Sequence, residues 1–392
     1  MLLAFFVSGM GTWITYVALP LVVYERTGSP LLTAVSLLVK LAPTLVLAPI
    51  EGVVVDRFNR WTIMVTSGVI RGLLLLVMAM SADNITVLIV AASLVGAVSK
   101  FSSSAALASI PNLESEDRLV RVNSISEALD SIAMIVGPVL GGIVVGLYGP
   151  RVAFVTNAMS YFVSASVICT VRIPRSAQSH GATRSVWREA VYGLQWLRVN
   201  PSLSRMVFLL STVALAATAL NALEPVYATQ LSPGNAELAL GKMVSAWGVG
   251  VLFGSAYVIA LGNRARLRTT FLLGVTLESL SVGGVAIWAV LPRVLGFLVI
   301  GGVGNSLIDI SLVSILQKSV PDQVRGRVFA FSLMLILSSQ VSGMLVWGWL
   351  AQYLPVRVLF VVAGGIAMGV MVLGWLCWTL ADTPGQLAGE RK

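Results

Sequence analysis

The chain alternates between long apolar runs and short polar segments along almost its whole length. Twelve of these runs are close to the roughly 20 apolar residues that a helix needs to cross a lipid bilayer. They cover residues 1–23, 31–54, 62–81, 85–109, 122–146, 152–171, 205–228, 239–261, 270–290, 294–317, 328–350 and 356–380. The pattern predicts an all-α polytopic membrane protein with twelve transmembrane helices.

One polar segment, residues 172–204, is much longer than the others. It separates an N-terminal six-helix half, 1–171, from a C-terminal half, 205–392. The first part of the segment has the composition of a flexible linker. Within 186–197 the apolar residues recur at helical spacing, which predicts an amphipathic helix lying on the membrane surface.

Composition excludes several classes of protein. Of the 392 residues, 57% are hydrophobic and 11% are charged, which is far from the balance of a soluble domain. The single histidine, His180, lies in the long polar segment, and Cys169 and Cys377 both lie inside apolar runs. We therefore expect no metal site, no cofactor, no disulfide and no histidine-based catalysis.

The distribution of positive charge predicts the topology. The net charge is +9, and eighteen of the 26 lysines and arginines fall on one side of the predicted membrane. They are Arg57, Arg60, Arg118, Arg121, Arg172, Arg175, Arg184, Arg188, Arg198, Arg205, Arg264, Arg266, Arg268, Lys318, Arg325, Arg327, Arg391 and Lys392. Because basic residues accumulate on the cytoplasmic side, both termini are expected in the cytoplasm. The basic excess thus indicates topology and not a nucleic-acid partner.

The short segment between the second and third runs has a recognisable pattern. It reads GVVVDRFNR, with Gly52, Asp56, Arg57 and Arg60 at the positions of the signature G-x-x-x-D-R-x-x-R/G-R/K. This segment resembles the major facilitator superfamily, in which two six-helix halves are related by a pseudo-twofold axis. The resemblance implies that Asp56 pairs with the start of helix 11 and holds the halves in one conformation.

The partners that the resemblance implies at the start of helix 11 are Arg325 and Arg327, within Val324-Arg325-Gly326-Arg327. These two arginines with Gly52, Asp56, Arg57 and Arg60 form a predicted conformational gate. The second half repeats the first with an offset near 205–210, so that Leu19-Pro20 corresponds to Glu224-Pro225.

Helix 5 contains a second motif, GPVLGG, formed by Gly137, Pro138, Gly141 and Gly142. Small residues at four-residue spacing allow helices to cross closely, so the motif predicts a hinge or packing surface. It also resembles the second half of the family's antiporter motif, with Ala133 at the position of the earlier glycine. Antiport is what that resemblance implies.

Seven ionisable residues lie near the middle of predicted spans, where charge is costly and rarely faces lipid. They are Lys40, Arg71, Lys100, Glu127, Asp130, Glu278 and Asp309. Glu25, Glu51 and Glu224 lie closer to predicted helix ends, where water can reach them.

Position along the helices suggests how the intramembrane charges pair. Because helices 4 and 5 are antiparallel, Lys100 is level with Asp130. Helices 4 and 10 line the cavity of the family's fold, so Lys100 and Asp309 are candidates to face each other. We predict that the two acids compete for Lys100 and that protonation switches the halves, the alternative being a static network. Arg71 and Glu278 occupy equivalent positions, and Arg71 is favoured as structural.

The predicted cavity walls are mostly apolar, which suits an amphiphilic organic molecule. Three segments, Leu19–Ser29, Asn123 through Gly142 and Val320–Val328, resemble the macrolide-efflux and enterobactin-exporter branch of the family. The resemblance implies a multi-pass permease of the bacterial plasma (inner) membrane that exports a drug or natural product in exchange for protons.

Three classes of function stay open. Proton-coupled export leads, a transporter of lipid or metabolite cargo is second, and a membrane scaffold or sensor without transport is third. An enzyme is not expected, because the sequence contains no nucleophile–base pair and no phosphate-binding loop of the Walker type. We expect a monomer whose partners are a small amphiphilic substrate, protons and the lipid bilayer.

Overall fold

The structure, a computed structural model, describes residues 1–113, 116–171, 194–196, 198–262 and 266–381. Regular structure in this part of the chain is entirely helical. The helices are α1 (Leu2–Thr27), α2 (Pro30–Arg57), α3 (Arg60–Met80), α4 (Ile85–Leu113), α5 and α6 (together Glu116–Thr170), α7 (Pro201–Leu231), α8 (Ala236–Leu261), α9 (Leu267–Ile287), α10 (Leu291–Ser319), α11 (Asp322–Leu350) and α12 (Val356–Ala381). The predicted twelve-helix fold is confirmed.

The run Glu116–Thr170 contains two helices because the chain reverses at Gly149. Gly149 has φ 80° and ψ 169°, a backbone conformation that glycine adopts without strain. Pro150 follows at once, and its fixed φ suits the first turn of the next helix. We call residues 116–148 α5 and residues 150–170 α6. Ten helical stretches in the described residues are long and apolar enough to cross a membrane, and this run is counted among them once.

Local sequence signals make the connections short. Gly28 ends α1 with φ 62° and donates its N–H to the Tyr24 carbonyl at 2.8 Å. Ser29 then caps α2 by accepting from the Leu32 N–H at 3.3 Å, with Pro30 at the first helical position. A helix stop followed directly by a helix start forces α1 and α2 to run antiparallel.

The odd-numbered helices begin at one end of the bundle and finish at the other. We call the end at which α1, α7 and α9 begin the basic end, since it carries Arg57, Arg266 and Lys318. The other end is called the opposite end. There Arg26 and Arg151 both donate to the carboxylate of Asp83, which ties the end of α1 to the start of α6. All three side chains are more than half exposed.

The two halves meet towards the opposite end through three glycines, which we call the glycine seal: Gly142 in α5, Gly241 in α8 and Gly348 in α11. A methyl group on Gly142 would lie 2.5 Å from the Glu237 carbonyl oxygen. One on Gly348 would lie 2.8 Å from Cβ of Ala34, and one on Gly241 would collide with the Pro138 carbonyl. The backbones of the two halves therefore touch directly here.

A buried apolar cluster lies behind the glycine seal and also joins the halves. Val17 and Leu37 of the N-terminal half pack in it with Leu223 and Tyr227 of the C-terminal half. Nearer the basic end, the α5 side chains Glu127 and Asp130 are exposed. Within the described residues, the halves are thus closed towards the opposite end.

Two predictions about chain organisation are not tested by the described residues. The amphipathic helix over 186–197 lies outside the described residues except for 194–196, which are helical. The boundaries of the linker at 172 and 204 stay predictions.

Candidate functional site

A cavity of about 380 Å³ lies between the halves, and most of its wall comes from the C-terminal half. Trp13, Tyr16 and Met134 are the described lining residues from the N-terminal half. The others are Leu210, Ala214, Ala217, Thr218, Leu220, Asn221, Glu224, Val244, Trp247, Glu278, Asn305, Ile308, Asp309, Leu312, Leu333, Ile336, Leu337 and Gln340. This volume falls in the range of pockets for drug-sized ligands.

Three carboxyl groups face this cavity from three different helices: Glu224 in α7, Glu278 in α9 and Asp309 in α10. Glu224 and Glu278 are 5% and 6% exposed, whereas Asp309 is exposed to the open part of the cavity. Glu278 and Asp309 lie on α9 and α10, which pack against each other. No Lys, Arg or His is found among the described lining residues, so the wall is acidic.

The part of the chain that the structure describes offers these three carboxyls no protein donor. Within the described part of the chain, no residue donates a hydrogen bond to them or forms an ion pair with them. A carboxylate inside a membrane bundle is costly without a counter-ion, even where a cavity lets water reach it. The chemistry of the site therefore calls for a proton or a cation.

Two prolines lie one helical turn beyond residues of the same wall. Pro20 and Pro225 both lie inside helices and have no N–H, so the carbonyl four residues earlier loses its helical hydrogen bond. Those carbonyls belong to Tyr16 and Asn221, and both residues line the cavity. The equivalence of the two prolines, seen in the sequence repeat, thus gives each half one cavity-lining residue whose carbonyl lacks the usual helical N–H donor.

Aromatic side chains complete the wall. Trp13 and Tyr16 pack edge to face with ring centroids 5.2 Å apart, and Trp247 lies on the C-terminal side. Aromatic faces attract cations, and they also offer an apolar surface to the body of a ligand. Wall and carboxyls together suit a molecule with an apolar body and a positive group.

Sequence analysis found two of the three acids. Glu278 and Asp309 lie on the wall of the cavity, and only the helix of Asp309, α10, had been placed there by the family resemblance. Glu224 was assigned to a water-accessible helix end, and that assignment is wrong because Glu224 is 5% exposed. The helix α7 continues to Leu231, and Glu224 lines the same cavity as Tyr16 of the other half. The sequence signal that could have identified Glu224 was the pair Glu224-Pro225, which corresponds to Leu19-Pro20 in the first half.

The structure does not place Lys100 or Asp130 among the described residues that line this cavity. Lys100 is half-buried in α4. Asp130 is exposed and lies one helical turn towards the basic end from Met134, near Glu127. The sharing of Lys100 between Asp130 and Asp309 stays a prediction.

Arg71 is buried inside the N-terminal half. Its Nε donates to the Ser67 carbonyl at 3.1 Å, its Nη2 donates to the Ser102 hydroxyl at 3.0 Å, and its guanidinium lies 4.2 Å from the Tyr161 ring centroid. The Tyr161 hydroxyl in turn hydrogen bonds with Thr12 at 2.9 Å. These contacts favour the structural role that was predicted for Arg71.

The predicted gate is described in part. Arg57 is exposed, and Arg60 donates from Nη1 to the Ala108 carbonyl, which ties the start of α3 to α4. Arg325 donates from Nε to the Val320 carbonyl at 3.3 Å. The surroundings of Gly52 and the side chain of Asp56 are outside what the structure describes. The pairing of Asp56 with Arg325 or Arg327 therefore stays a prediction.

The antiporter-type motif in α5 contacts both halves. A methyl group on Gly137 would lie 2.6 Å from Cβ of Trp13, and one on Gly141 would lie 2.9 Å from Cα of Ile14. These two glycines let α1 approach closely and hold Trp13 at the cavity wall. Pro138 and Gly142 instead face α8 in the glycine seal.

Metal binding finds no support in the part of the chain that the structure describes, where no three His, Cys, Asp or Glu residues are grouped to hold an ion. The three cavity carboxyls are therefore not arranged as a ligand set.

Known proteins resemble this chain over most of its length. It is 27% identical to the MFS-type transporter YfiS of Bacillus subtilis (91% of this chain, 87% of YfiS). It is 26% identical to the multidrug efflux pump Tap of Mycolicibacterium fortuitum (95% and 93%) and 22% identical to macrolide efflux protein A of Streptococcus pyogenes (89% and 88%). The crystal structure of the nucleoside transporter NupG superposes with a TM-score of 0.78 at 11% identity, over 96% of this chain and 98% of NupG.

The family model of the Major Facilitator Superfamily matches residues 1–232 and again residues 206–392. The two overlapping matches together cover the whole chain. The predicted resemblance to this family and to its efflux transporters is confirmed, and the protein is a multi-pass transporter of the bacterial membrane. The chain belongs to the Major Facilitator Superfamily.

Proposed function

We propose that this protein exports a cationic amphiphile in exchange for protons, by alternating access between two arrangements of its halves. The observation that supports this most directly is the cavity wall, on which Glu224, Glu278 and Asp309 face a ligand-sized space without a described counter-ion. The efflux functions named for Tap and macrolide efflux protein A agree with this direction of transport. We do not expect an enzyme.

The exchange follows from the cost of charge in the cavity. A carboxyl there is tolerated when it carries a proton or when a cation lies beside it, so the two occupants exclude each other. A cationic cargo that enters displaces a proton, and a proton that returns on the other side displaces the cargo. One group thereby couples two opposite fluxes without a further site.

The direction depends on which end faces the cytoplasm. The basic end carries most of the lysines and arginines, which supports a cytoplasmic location for it and for both termini. The closed glycine seal would then be on the outer side, and we infer that cargo loads from the basic end. Opening of the seal together with closure at the basic end would release the cargo.

The test compares two probes in an efflux-deficient bacterial host: an amphiphilic quaternary ammonium dye and an uncharged analogue of the same size. Cells that produce the protein should accumulate less of the cation, and collapse of the proton gradient should abolish the difference. Replacement of Asp309 by Asn or Glu278 by Gln should weaken cargo binding about 10- to 100-fold, the loss expected for a hydrogen bond to a charged group.

Glu25→Gln is the matched control, because Glu25 is an exposed acid near the end of α1 and does not line the cavity. Equal export of the uncharged analogue would contradict the proposal. So would unchanged export in a protein that carries Glu224→Gln, Glu278→Gln and Asp309→Asn together.

A further inference from the structure

A second cavity lies at the basic end of the C-terminal half, between the starts of α7 and α9 and the end of α10. Its volume is about 730 Å³, and none of its lining residues lines the central cavity. They are Asn200, Pro201, Leu203, Met206, Arg266, Leu267, Arg268, Thr269, Ile315, Lys318 and Ser319. We call this space the basic pocket.

The rim of the basic pocket is positive. Arg266, Arg268 and Lys318 are all exposed and all line it, and no Asp or Glu is found among its described lining residues. Three cations around one concave space attract an anion more strongly than the same charges spread over a flat surface, because the walls exclude water and focus the field.

Two helix N-termini point at the same space. Pro201 begins α7 and Leu267 begins α9, and neither helix has a side-chain cap on its first N–H groups. Such groups have no partner inside the helix and carry the positive end of its dipole. Backbone donors beside arginines form a typical phosphate site.

The inner wall of the pocket is apolar. Leu203 and Met206 are 8% and 3% exposed, and Ile315 and Leu267 complete this side. A free phosphate would leave this wall unused. A phosphate with an acyl chain would use both parts, and the end of a transmembrane bundle lies where lipid headgroups and chains meet.

We propose that the basic pocket binds an anionic phospholipid, with its phosphate among Arg266, Arg268 and Lys318 and the start of an acyl chain against Leu203 and Met206. The bound lipid bridges α7, α9 and α10, which are the helices that carry the three carboxyls of the central cavity. Lipid binding here is independent of the proposed cargo and of its direction of transport.

The test measures lipid binding to the purified, full-length protein in neutral detergent by native mass spectrometry and thermal unfolding. The probes are dioleoyl phosphatidylglycerol, dioleoyl phosphatidylcholine and inorganic phosphate. Phosphatidylglycerol should bind and raise the Tm more than phosphatidylcholine, and inorganic phosphate should have little effect. Arg266→Gln with Arg268→Gln should weaken phosphatidylglycerol binding about 30-fold, from the contribution of each basic residue near a lipid surface.

Three further variants separate a built site from general attraction. Arg118→Gln with Arg121→Gln removes the same charge from exposed positions of α5 and should retain the affinity. Arg266→Lys with Arg268→Lys should retain most of it. Ser319→Trp keeps all charges but fills the pocket from an exposed position, and it should weaken binding.

Equal loss in the α5 control, unchanged binding in Ser319→Trp, or equal stabilisation by inorganic phosphate would each overturn the proposal. Failure of lipid binding would leave cation export intact, because the two cavities share no residue.

Discussion

Gly142→Ala should shift the balance between the two arrangements of the halves. The added methyl group would lie 2.5 Å from the Glu237 carbonyl oxygen and 2.8 Å from Cα of Leu238. Non-bonded heavy atoms pack at about 3.5 Å, so α5 and α8 must separate by roughly 1 Å for the seal to stay closed. Both obstructing atoms belong to backbone, which cannot turn aside as a side chain can.

The magnitude follows from the cost of overpacking. An extra methyl group in a well-packed contact costs about 1–3 kcal/mol. The clash is present only in the state with a closed seal. The higher helix propensity of Ala stabilises both states equally, so it does not change the balance between them. The population of the state with an open seal should therefore rise about 5- to 150-fold relative to the closed state.

The assay is pulsed electron–electron double resonance, which measures the distance between two spin labels. The labels replace the exposed residues Tyr148 and Tyr353, which lie on different halves at the opposite end. Cys169 and Cys377 are first replaced by Ser to give a single labelled pair. Gly142→Ala should add a population with a longer distance between the labels. Gly365→Ala is the matched control, since a methyl group there meets nothing within 4 Å. If the two variants give the same distance distribution, the reasoning about the seal is refuted.

Two further predictions concern charges of the N-terminal half. Arg71→Gln should lower the free energy of unfolding by about 2–4 kcal/mol, because it loses hydrogen bonds to Ser67 and Ser102 and the contact with Tyr161. Thermal unfolding measures this change. Loss of proton coupling without loss of stability would contradict a structural role. Asp83→Asn weakens two exposed ion pairs worth about 0.2–1 kcal/mol each, so its free energy of unfolding, measured in the same way, should fall by less than about 2 kcal/mol.

Apolar run length was sufficient to predict the fold. Each predicted span coincides with a helix, because a backbone in lipid must satisfy its hydrogen bonds within the segment. The sharpest reversal, at Gly149-Pro150, also follows from local chemistry, since glycine and proline set the backbone there. The family followed from the motif around Asp56, which fixes residue types at fixed spacing.

The candidate site was harder to predict. Helices that are apolar on nearly every side give little sign of which face points inward, so the depth of Lys100 did not reveal whether it reaches the cavity. Glu224 was missed for a related reason. Its burial arises from the packing of α8, α11 and α12 around α7, and no local pattern in α7 contains that information.

Two sets of intramembrane polar groups, one in each half, are used differently. In the N-terminal half Arg71, Tyr161 and Thr12 are bound to one another or to nearby serines, whereas Glu224, Glu278 and Asp309 line the cavity without a protein donor among the described residues. Substitutions on the walls of α7, α9 and α10 can thus change the cavity without breaking an existing network. If the proposed export takes place at this wall, we expect cargo range to evolve by single substitutions in the C-terminal half, while the N-terminal half keeps its network.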